Sequence, residues 1–380
     1  MESEKFHKKN NRIKNMKIGI LTFHRAINYG AILQTYSLYK VLSDFDNQVE
    51  VIDYYPKQNE RDYDIFRPFS SIKNWIYNFL VLPYSWQIKK KKDKFSDFRK
   101  QHLLMSRRYL SSSDLKQSCP HYHIIITGSD QVFNPVNDEM INTYYLGFVF
   151  NGTKRVAYAP SFGISVFTKE MAQKLRPYIC AFDSLSCREA NGSSFIIETY
   201  AKKCPTVLDP VFLTSKDEWK RIAGSKMDEA GYIFVYDLNG RERLIELANR
   251  LKKKTGLPIV CLSTKKYFIR RYDVDKLVIN AGPIEFLKYI SEANYILTDS
   301  FHGTSFSLIF EKKFLSCVAL PKSSARLTSL LSSINMLHHL VHLDRVQSCD
   351  LNNADEQYDC KILLQKQINN SLEYLRKSLC

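Results

Sequence analysis

The stretch from Lys17 to Tyr54 reads KIGILTFHRAINYGAILQTYSLYKVLSDFDNQVEVIDY, and it decides the fold class. It begins with a short apolar run. A turn at 28–30 follows, then a segment with apolar residues at helical spacing, and then a second apolar run. Short apolar runs are typical of buried parallel strands. The strand–helix–strand order predicts a βαβ unit of a doubly wound sheet, in which ligands bind at the carboxyl ends of the strands.

The same alternation continues along the chain. Further strands are predicted at 122–127, 155–159, 232–236, 257–262 and 295–298, and further helices at 241–254, 283–291, 304–310 and 360–379. Two such series predict an α/β protein with two Rossmann-like domains that face each other across a cleft. We expect a disordered leader at 1–15, an N-terminal domain at 16–204 with a helical insertion at about 60–120, a C-terminal domain at 205–345, and a linker and helix at 346–380 that pack back on the N-terminal half.

Length and composition exclude several classes of protein. The chain has 380 residues, of which 44% are hydrophobic, so it can form two domains of ordinary size. No apolar run reaches the roughly 18–20 residues that span a bilayer. The nine cysteines are scattered without a C-x-x-C pair, which argues against a disulfide framework or a zinc site. We therefore expect a cytoplasmic protein without a metal.

The basic excess is 55 Lys and Arg against 39 Asp and Glu, a net charge of +16. One concentration of it is the run Lys89–Lys94, which follows an aromatic segment containing Trp75 and Trp86. Aromatic residues beside cations suit an anionic membrane surface, here the inner face of the plasma membrane. An ordinary buried helix followed by a solvated charge run fits equally well. No zinc-finger, helix-turn-helix or RNP motif is present, so we expect no nucleic-acid partner.

Polar residues follow the predicted strands, where an open sheet presents its crevice. Asn28-Tyr29-Gly30 opens a helix, and such a start favours an anion or a polar substrate, although a structural turn is an equal alternative. Gly128-Ser129-Asp130 follows the strand at 122–127. There Asp130 either caps a helix or takes part in catalysis.

The stretch DSFHGT at residues 299–304 is the most informative of these strand ends. A helix predicted at 304–310 puts His302 beside its positive end, where backbone donors and the helix dipole stabilise an anion. Because histidine titrates near neutral pH, His302 is a candidate general acid or base; a histidine packed at a turn is the alternative. Arg188 and Arg326 are candidate forks for a carboxylate or phosphate, although a lone arginine is usually a surface residue.

A set of short motifs extends from about Lys17 to His342. It comprises Asn28-Tyr29-Gly30-Ala31-x-Leu33-Gln34, Gly128-Ser129-Asp130-Gln131-Val132-Phe133-Asn134, Ala159-Pro160-Ser161-Phe162-Gly163, Arg188-Glu189, Leu208-Asp209-Pro210, Thr298-Asp299-Ser300-Phe301-His302-Gly303-Thr304, and Ser324-x-Arg326 with Leu330-Leu331. In this order the set resembles the polysaccharide pyruvyl transferase family. The resemblance implies two Rossmann-like domains, as in GT-B glycosyltransferases, and transfer of the pyruvyl group of phosphoenolpyruvate onto two sugar hydroxyls as a cyclic ketal. Some relatives carry Arg-Leu-His-Gly at the Ser300–Gly303 position, so one anion-binding arginine of the family pattern is absent.

The resemblance and the residue chemistry together imply a set of roles. Catalysis falls to His302 as general acid and to Asp130 or Asp299 as general base. Donor binding falls to Arg188, Arg326, Ser300, Gly303 and Thr304. The acceptor or the cleft is assigned Asn28, Tyr29, Gly30, Gln34, Ser129, Gln131 and Asn134. Glu189 and Asp209 are assigned to support of the site.

We therefore predict a pyruvyl transferase of cell-surface polysaccharide biosynthesis, for a capsule or exopolysaccharide. Phosphoenolpyruvate is the expected donor, and a sugar or lipid-linked oligosaccharide is the expected acceptor. Because ketal formation involves no redox step, no cofactor is expected. Two alternatives stay open: a GT-B glycosyltransferase that uses a nucleotide sugar, and a non-catalytic sugar-binding or membrane-binding module.

Overall fold

The computed structural model describes residues 15–56, 64–150, 152–225, 231–263, 273–319, 325–355 and 360–380. The predicted leader at 1–15 lies outside these residues except for Asn15. Ser324 of the last motif also lies outside them.

Six strands from the first half of the chain form one parallel sheet. They are β1 Lys17–Leu21, β2 Gln48–Tyr54, β3 Met105–Tyr109, β4 Ile124–Thr127, β5 Lys154–Ala157 and β6 Ser184–Leu185. Their order, β3-β2-β1-β4-β5-β6, is that of a Rossmann fold. Ile20 of β1 pairs with Val51 on one side and with Ile126 on the other. The strand order therefore reverses between β1 and β4.

Six strands from the second half form another parallel sheet of the same kind. They are β7 Ile233–Asp237, β8 Ile259–Ser263, β9 Lys276–Val278, β10 Tyr295–Thr298, β11 Lys313–Val318 and β12 Leu340–His342. Their order, β12-β11-β10-β7-β8-β9, repeats the Rossmann order, with the reversal between β7 and β10. The prediction of two Rossmann-like halves is confirmed.

Helices cover both sheets. They are α1 Tyr29–Ser43, α2 Ile72–Val81, α3 Ser85–His102, α4 Ser112–Ser118, α5 Asp138–Tyr144, α6 Lys169–Cys180, α7 Ala190–Tyr200, α8 Lys216–Ala223, α9 Glu242–Thr255, α10 Pro283–Glu292, α11 Phe301–Ile309, α12 Ala325–Ser333 and α13 Cys360–Leu379. Short 3-10 helices lie at Leu82–Tyr84, Gln131–Phe133, Pro210–Leu213, Leu337–His339, Leu343–Ser348 and Leu351–Ala354.

Helix α1 joins the two halves. It begins where Asn28 accepts a hydrogen bond from the Ala31 N–H (3.2 Å), and twelve of its 15 residues are buried. Tyr29 stacks on Phe286 of α10 with ring centroids 4.7 Å apart, and its hydroxyl donates to the Ala281 carbonyl (2.8 Å). Full burial of a side chain of this size contributes about 1.5–3 kcal/mol. The first turn of α1 is therefore part of the contact between the halves.

The segment between β2 and β4 differs from the predicted helical insertion at about 60–120. Residues 105–109 form β3, the edge strand of the first sheet. Its sequence, MSRRY, has two exposed arginines and no apolar run, because an edge strand is covered on one side only. Helices α2 and α3 thus belong to the connection between β2 and β3.

Helix α13 packs on the first half of the chain. The Ser371 hydroxyl accepts a hydrogen bond from the Leu208 N–H (3.0 Å), and the Tyr374 hydroxyl donates to the Ala157 carbonyl at the end of β5 (3.1 Å). The chain therefore crosses back from the second sheet to the first.

Helix α2 exposes an apolar surface. Ile72 is 80% exposed, Phe79 76% and Trp75 59%, and only Asn78 and Val81 of this helix are buried. The alternative of an ordinary buried helix is therefore wrong. No helix in the described part of the chain is long and apolar enough to cross a membrane.

The lysine run lies on α3, so its members point in different directions around the helix. Lys91 is buried with its Nζ 4.9 Å from the Tyr29 ring centroid, and burial lowers its pKa to about 8. Lys94 forms an ion pair with Glu285 of α10. Of the lysines in the run, only Lys89 and Lys90 are exposed, so the run does not form one cationic patch.

Candidate active site

A polar cavity of about 590 Å³ lies between the carboxyl ends of the two sheets. Its walls come from the loops after β1, β4, β7, β10 and β11 and from the start of α12. The reversal points of both sheets thus meet at one cavity, where open α/β sheets bind ligands. Among the described residues, the acidic and basic side chains in its walls are Asp130, Arg241, Asp299, His302 and Arg326.

His302 lies within a helix rather than ahead of one. Helix α11 begins at Phe301, three residues before the predicted Thr304, because the Ser300 hydroxyl accepts a hydrogen bond from the Gly303 N–H (3.3 Å). Serine is a favoured N-cap residue, so the sequence held a signal for this earlier start. The imidazole of His302, in the first turn, faces the cavity from the positive end of the helix dipole.

Gly30 of α1 makes room for the His302 ring. A Cβ atom built on Gly30 would overlap the imidazole, so any other residue would push the ring away. His302 Nε2 is 3.5 Å from Asp209 Oδ2, longer than an ordinary hydrogen bond. In the described residues this buried nitrogen has no hydrogen-bond partner. The imidazole is therefore fixed in position, with Nε2 facing the buried Asp209 carboxylate.

Asp209 is a fully buried carboxylate behind the cavity. Its Oδ2 accepts hydrogen bonds from Arg188 Nη1 (2.6 Å) and from the Ser129 hydroxyl (2.9 Å). Burial opposes ionisation of Asp209, but His302 and Arg188 hold its pKa well below the usual range. Asp209 therefore places a fixed negative charge beside the imidazole.

Arg188 was assigned to the donor from the sequence, yet its side chain does not line the cavity. It is 1% exposed, and its guanidinium carbon is 4.5 Å from the centroid of the Phe301 ring, which does line it. Besides Asp209, Arg188 approaches Asp130, with Nη2 3.6 Å from Oδ1. Burial opposes protonation of Arg188, but the neighbouring carboxylates raise its pKa. Arg188 thus connects Asp209 with the cavity carboxylate Asp130.

Asp130 has an unusual backbone conformation, with φ at 69° and ψ at −170°. Residues other than glycine rarely adopt this region, and such strain concentrates at functional sites. Asp130 Oδ1 accepts a hydrogen bond from the Gln131 N–H (2.9 Å), so the residue caps the 3-10 helix that follows. In the described residues no hydrogen bond involves Oδ2. Capping and a chemical role are therefore compatible for Asp130.

Asp299 uses both carboxylate oxygens to hold the loop after β7. Oδ1 accepts from the Leu238 N–H (2.7 Å), and Oδ2 accepts from the Asn239 side chain (2.6 Å). Burial raises the pKa of Asp299, although these hydrogen bonds oppose the shift. Of the two predicted bases, Asp130 is therefore the one with an unoccupied oxygen.

Two arginines supply positive charge to the cavity. Arg326, in the first turn of α12, has no carboxylate within 4.0 Å in the part of the chain that the structure describes. Burial, and then the neighbouring Arg188, lower the pKa of Arg326. Arg241 follows Gly240 at the start of α9, and its Nε is 3.5 Å from Asp299 Oδ2. Sequence reasoning missed Arg241, because no local motif distinguishes it among 55 basic residues.

The other predicted site residues divide into two groups. Asn28, Gln131 and Ser300 line the cavity. The remainder, which do not line it, are Tyr29, Gly30, Gln34, Ser129, Asn134, Glu189, Gly303 and Thr304.

Several residues of the second group hold the loops that form the cavity. Gln34 accepts a hydrogen bond from the Ser129 N–H (3.2 Å) and donates to the Thr22 hydroxyl (2.9 Å), which ties the ends of β1 and β4 together. Glu189 accepts from the Ser161 hydroxyl (3.0 Å). Gly303 has no room for a side chain next to Thr298. These residues support the site from behind its walls.

Two Rossmann-like sheets that face each other across one polar cavity define an α/β protein of the GT-B fold. A family model described as polysaccharide pyruvyl transferase matches residues 28–319, and the chain belongs to that family. The match includes Asp130, Asp299 and His302 and ends before Arg326. It confirms the resemblance over most of its predicted extent. No curated protein matches the chain.

Solved structures support the fold. A UDP-GlcNAc 2-epimerase from Neisseria meningitidis, bound to UDP-GlcNAc, has a TM-score of 0.51 and 11% identity, with 96% of this chain and 99% of that chain covered. S. aureus MnaA, solved with UDP, has a TM-score of 0.51 and 11% identity, with 93% and 90% covered. At this identity the likeness concerns the fold alone.

Proposed function

We propose that this protein transfers the pyruvyl group of phosphoenolpyruvate onto two hydroxyls of a sugar, as a cyclic ketal, in the synthesis of a capsule or exopolysaccharide. Membership of the pyruvyl transferase family supports the transferase class and a sugar or polysaccharide acceptor. The observation that carries the proposal is the position of His302, which lines the cavity while its Nε2 faces the buried Asp209 carboxylate at 3.5 Å.

The donor binds between the two cavity arginines in this proposal. Phosphoenolpyruvate carries a carboxylate and a phosphate, and a guanidinium fork matches either group with two parallel hydrogen bonds. Arg326 has no competing carboxylate within 4.0 Å in the described residues, so it is assigned the stronger contact. Arg241, held near Asp299, takes the other anionic group. These two residues supply the positive charge that the Ser300–Gly303 motif lacks.

The reaction needs one acid and one base. The His302 imidazolium gives a proton to C3 of the enol while a sugar hydroxyl attacks C2 and loses its proton to Asp130 Oδ2. The C2–O bond to phosphate then breaks, and a second hydroxyl attacks C2. The proton of that hydroxyl leaves with the phosphate, so the products are the ketal and hydrogen phosphate. Asp130 then returns its proton to His302 through solvent, which restores the acid and the base for the next turnover. A positioned acid or base typically contributes about 10²–10⁴-fold to the rate.

Arg188 and Asp209 act as positioning residues in this scheme. Asp209 lies next to His302 Nε2 and keeps its charge because Arg188 and Ser129 donate to it. Arg188 also reaches Asp130. One buried ion-pair network therefore orients both the acid and the base.

The acceptor is proposed to be lipid-linked, and the protein to bind an anionic membrane surface through α2. The exposed side chains Ile72, Trp75 and Phe79 form an apolar surface on α2, and Trp86 with Lys89 and Lys90 follows at the start of α3. Tryptophan and lysine next to apolar residues suit the headgroup region of such a membrane. This arrangement would hold the cavity near a membrane-bound sugar.

Phosphate release tests the reaction. The full chain is incubated with phosphoenolpyruvate and with free or lipid-linked sugars, and the sugar product is examined for a ketal by mass spectrometry. We expect phosphate release that depends on both substrates. Turnover of a nucleotide sugar without phosphoenolpyruvate would favour a glycosyltransferase, and binding without turnover of any donor would favour a non-catalytic module.

A His302→Asn variant tests the assigned acid. Asparagine keeps one donor but cannot deliver a proton, so turnover should fall by about 10²–10⁴-fold while phosphoenolpyruvate still binds. His342→Asn is the matched control, because His342 is exposed and does not line the cavity. Near-normal turnover of His302→Asn would assign His302 to a structural role.

A further inference from the structure

A second, smaller pocket of about 340 Å³ lies beside the active-site cavity. Its lining residues come from the loop after β1, the end of β2, helix α3 and strand β3; they are Arg25, Ile27, Tyr55, Lys92, Asp93, Ser96, Arg99 and Arg108. Ile27 also lines the active-site cavity, so the two spaces are separated by a shared wall. No role in the proposed reaction has been given to this pocket.

The described lining of the pocket is rich in basic residues. Four of the described lining residues are basic, whereas Asp93 is the acidic one among them and Asp53 lies behind it. Arg25 forms a bidentate ion pair with Asp53, which also contacts His24 (3.0 Å) and, at 3.8 Å, Arg108. Asp53 is therefore shared among several cationic or polar partners.

Arg99 is the residue whose charge is least compensated. Its Nη1 is buried and has no hydrogen-bond partner in the described residues, and none of their carboxylates lies within 4.0 Å of its guanidinium. Burial lowers its pKa to about 10, and Arg25 adds to the shift. A buried guanidinium donor without an acceptor is costly, so a ligand that supplies the acceptor would bind there favourably.

We propose that this pocket binds the phosphate or diphosphate group of the sugar acceptor. Guanidinium groups match phosphate oxygens bidentately, and Arg25, Arg99 and Arg108 bring three of them to this pocket. The shared wall at Ile27 would place the attached sugar in the active-site cavity. Lys92, Ser96 and Arg99 lie on α3, which follows the apolar helix α2, so a lipid attached to the phosphate could extend toward that surface. This inference rests on the proposed function, because it names how the acceptor of that reaction is recognised.

Calorimetry with inorganic pyrophosphate on the full chain tests the site. We expect binding by the wild type that weakens by about tenfold or more in Arg99→Gln and in Arg108→Gln, since each loses charged hydrogen bonds to the anion. The Arg108 side chain is 44% exposed, so Arg108→Gln should fold. It therefore still tests the pocket if Arg99→Gln is unstable. Lys100→Gln is the matched control, because Lys100 is an exposed lysine of α3 outside the pocket, and this variant should bind pyrophosphate normally.

Equal affinity in all these variants, or loss of pyrophosphate binding only in Arg326→Gln, would overturn the proposal. Two further probes test whether the bound phosphate group belongs to a soluble or to a lipid-borne molecule: UDP, and phosphatidylcholine vesicles that contain a prenyl diphosphate. Binding of either that depends on Arg99 supports the site, and the preferred probe tells whether the phosphate is soluble or lipid-borne. Failure of phosphoenolpyruvate to bind the wild type would count against the proposed function alone, because pyrophosphate binding is measured independently of it.

Discussion

The imidazole of His302 lies directly on the backbone of Gly30, at the contact between the two halves of the chain. Gly30 lies in the first turn of α1, which follows β1, and His302 lies in the first turn of α11, which follows β10; each of these strands borders the reversal point of its sheet. The position of the proposed acid therefore depends on how helix α1 and helix α11 pack, and Gly30 is needed for that packing rather than for contact with a substrate.

Gly30→Ala should reduce turnover by displacing the His302 ring. Alanine favours a helix over glycine by about 0.8–1.0 kcal/mol, which offsets part of the steric cost to stability, so the variant is expected to fold. We expect a turnover loss comparable to that of His302→Asn, measured as phosphate release. The double variant should lose little more than His302→Asn alone, because the two changes affect one group. A further large loss in the double variant would contradict this coupling.

Arg326→Lys should weaken phosphoenolpyruvate binding by about tenfold, because lysine keeps the charge but loses the bidentate fork. Calorimetry measures the affinity. Arg345→Lys is the control, since Arg345 is an exposed arginine of the same half that does not line the cavity. Unchanged affinity of Arg326→Lys for phosphoenolpyruvate would show that Arg326 does not bind the donor. Arg188 lies behind the wall of the cavity, so Arg188→Lys should affect turnover more than the affinity for phosphoenolpyruvate.

The sequence predicts the two sheets because their central strands are apolar. Ile18–Leu21 and Ile124–Ile126 are buried on both faces, and such runs are recognisable without a structure. Strand β3 is not recognisable in this way, since an edge strand needs no apolar run. The site loops were also predictable, because parallel strands place all their carboxyl ends at one edge.

The environment of the arginines could not be predicted in the same way. Arg188 is adjacent to Glu189 in sequence, but its partners Asp209 and Phe301 come from distant segments. Nothing in the local sequence distinguishes it from Arg326, which faces the cavity. Burial of a charged group depends on which other segments meet it, and that information is absent from a single motif.

The ion pair between Arg188 and Asp209 should make stability depend on pH. The pKa of Asp209 is lower in the folded than in the unfolded chain, so the unfolded chain binds more protons between the two values. The stabilisation is therefore fully present above the unfolded pKa of about 3.9 and is lost as the pH falls through the folded pKa. Urea unfolding from pH 7 down to about pH 2 measures this loss, because the fall in stability lies below the unfolded pKa of about 3.9.

Arg188→Met removes one partner of this pair and leaves Asp209 buried without the guanidinium that donates to it. Breaking a buried pair in this way typically costs about 3–5 kcal/mol. We expect the unfolding free energy near pH 7 to fall by that order, and the loss of stability on acidification to be smaller than in the wild type, because the pKa of Asp209 in the folded chain rises toward its unfolded value. Arg345→Met is the control for removing an exposed arginine. Equal stability of Arg188→Met and Arg345→Met would show that the pair contributes nothing.

Helix α2 should carry the proposed binding to anionic membranes. Trp75→Ser with Phe79→Ser removes exposed apolar surface that packs on little else, so the fold should persist while vesicle binding falls.

Lys89→Ala with Lys90→Ala should weaken binding by about 1 kcal/mol per lysine at low salt, and by less at high salt, because salt screens exposed charges. Lys169→Ala with Lys366→Ala makes the same charge change at exposed positions away from α2 and should have little effect. Sedimentation with phosphatidylserine-containing and neutral vesicles measures the binding. Equal partitioning of the wild type to both kinds of vesicle would rule out the lysine contribution, and unchanged binding of the Trp75 and Phe79 variant would assign the apolar surface of α2 to another contact.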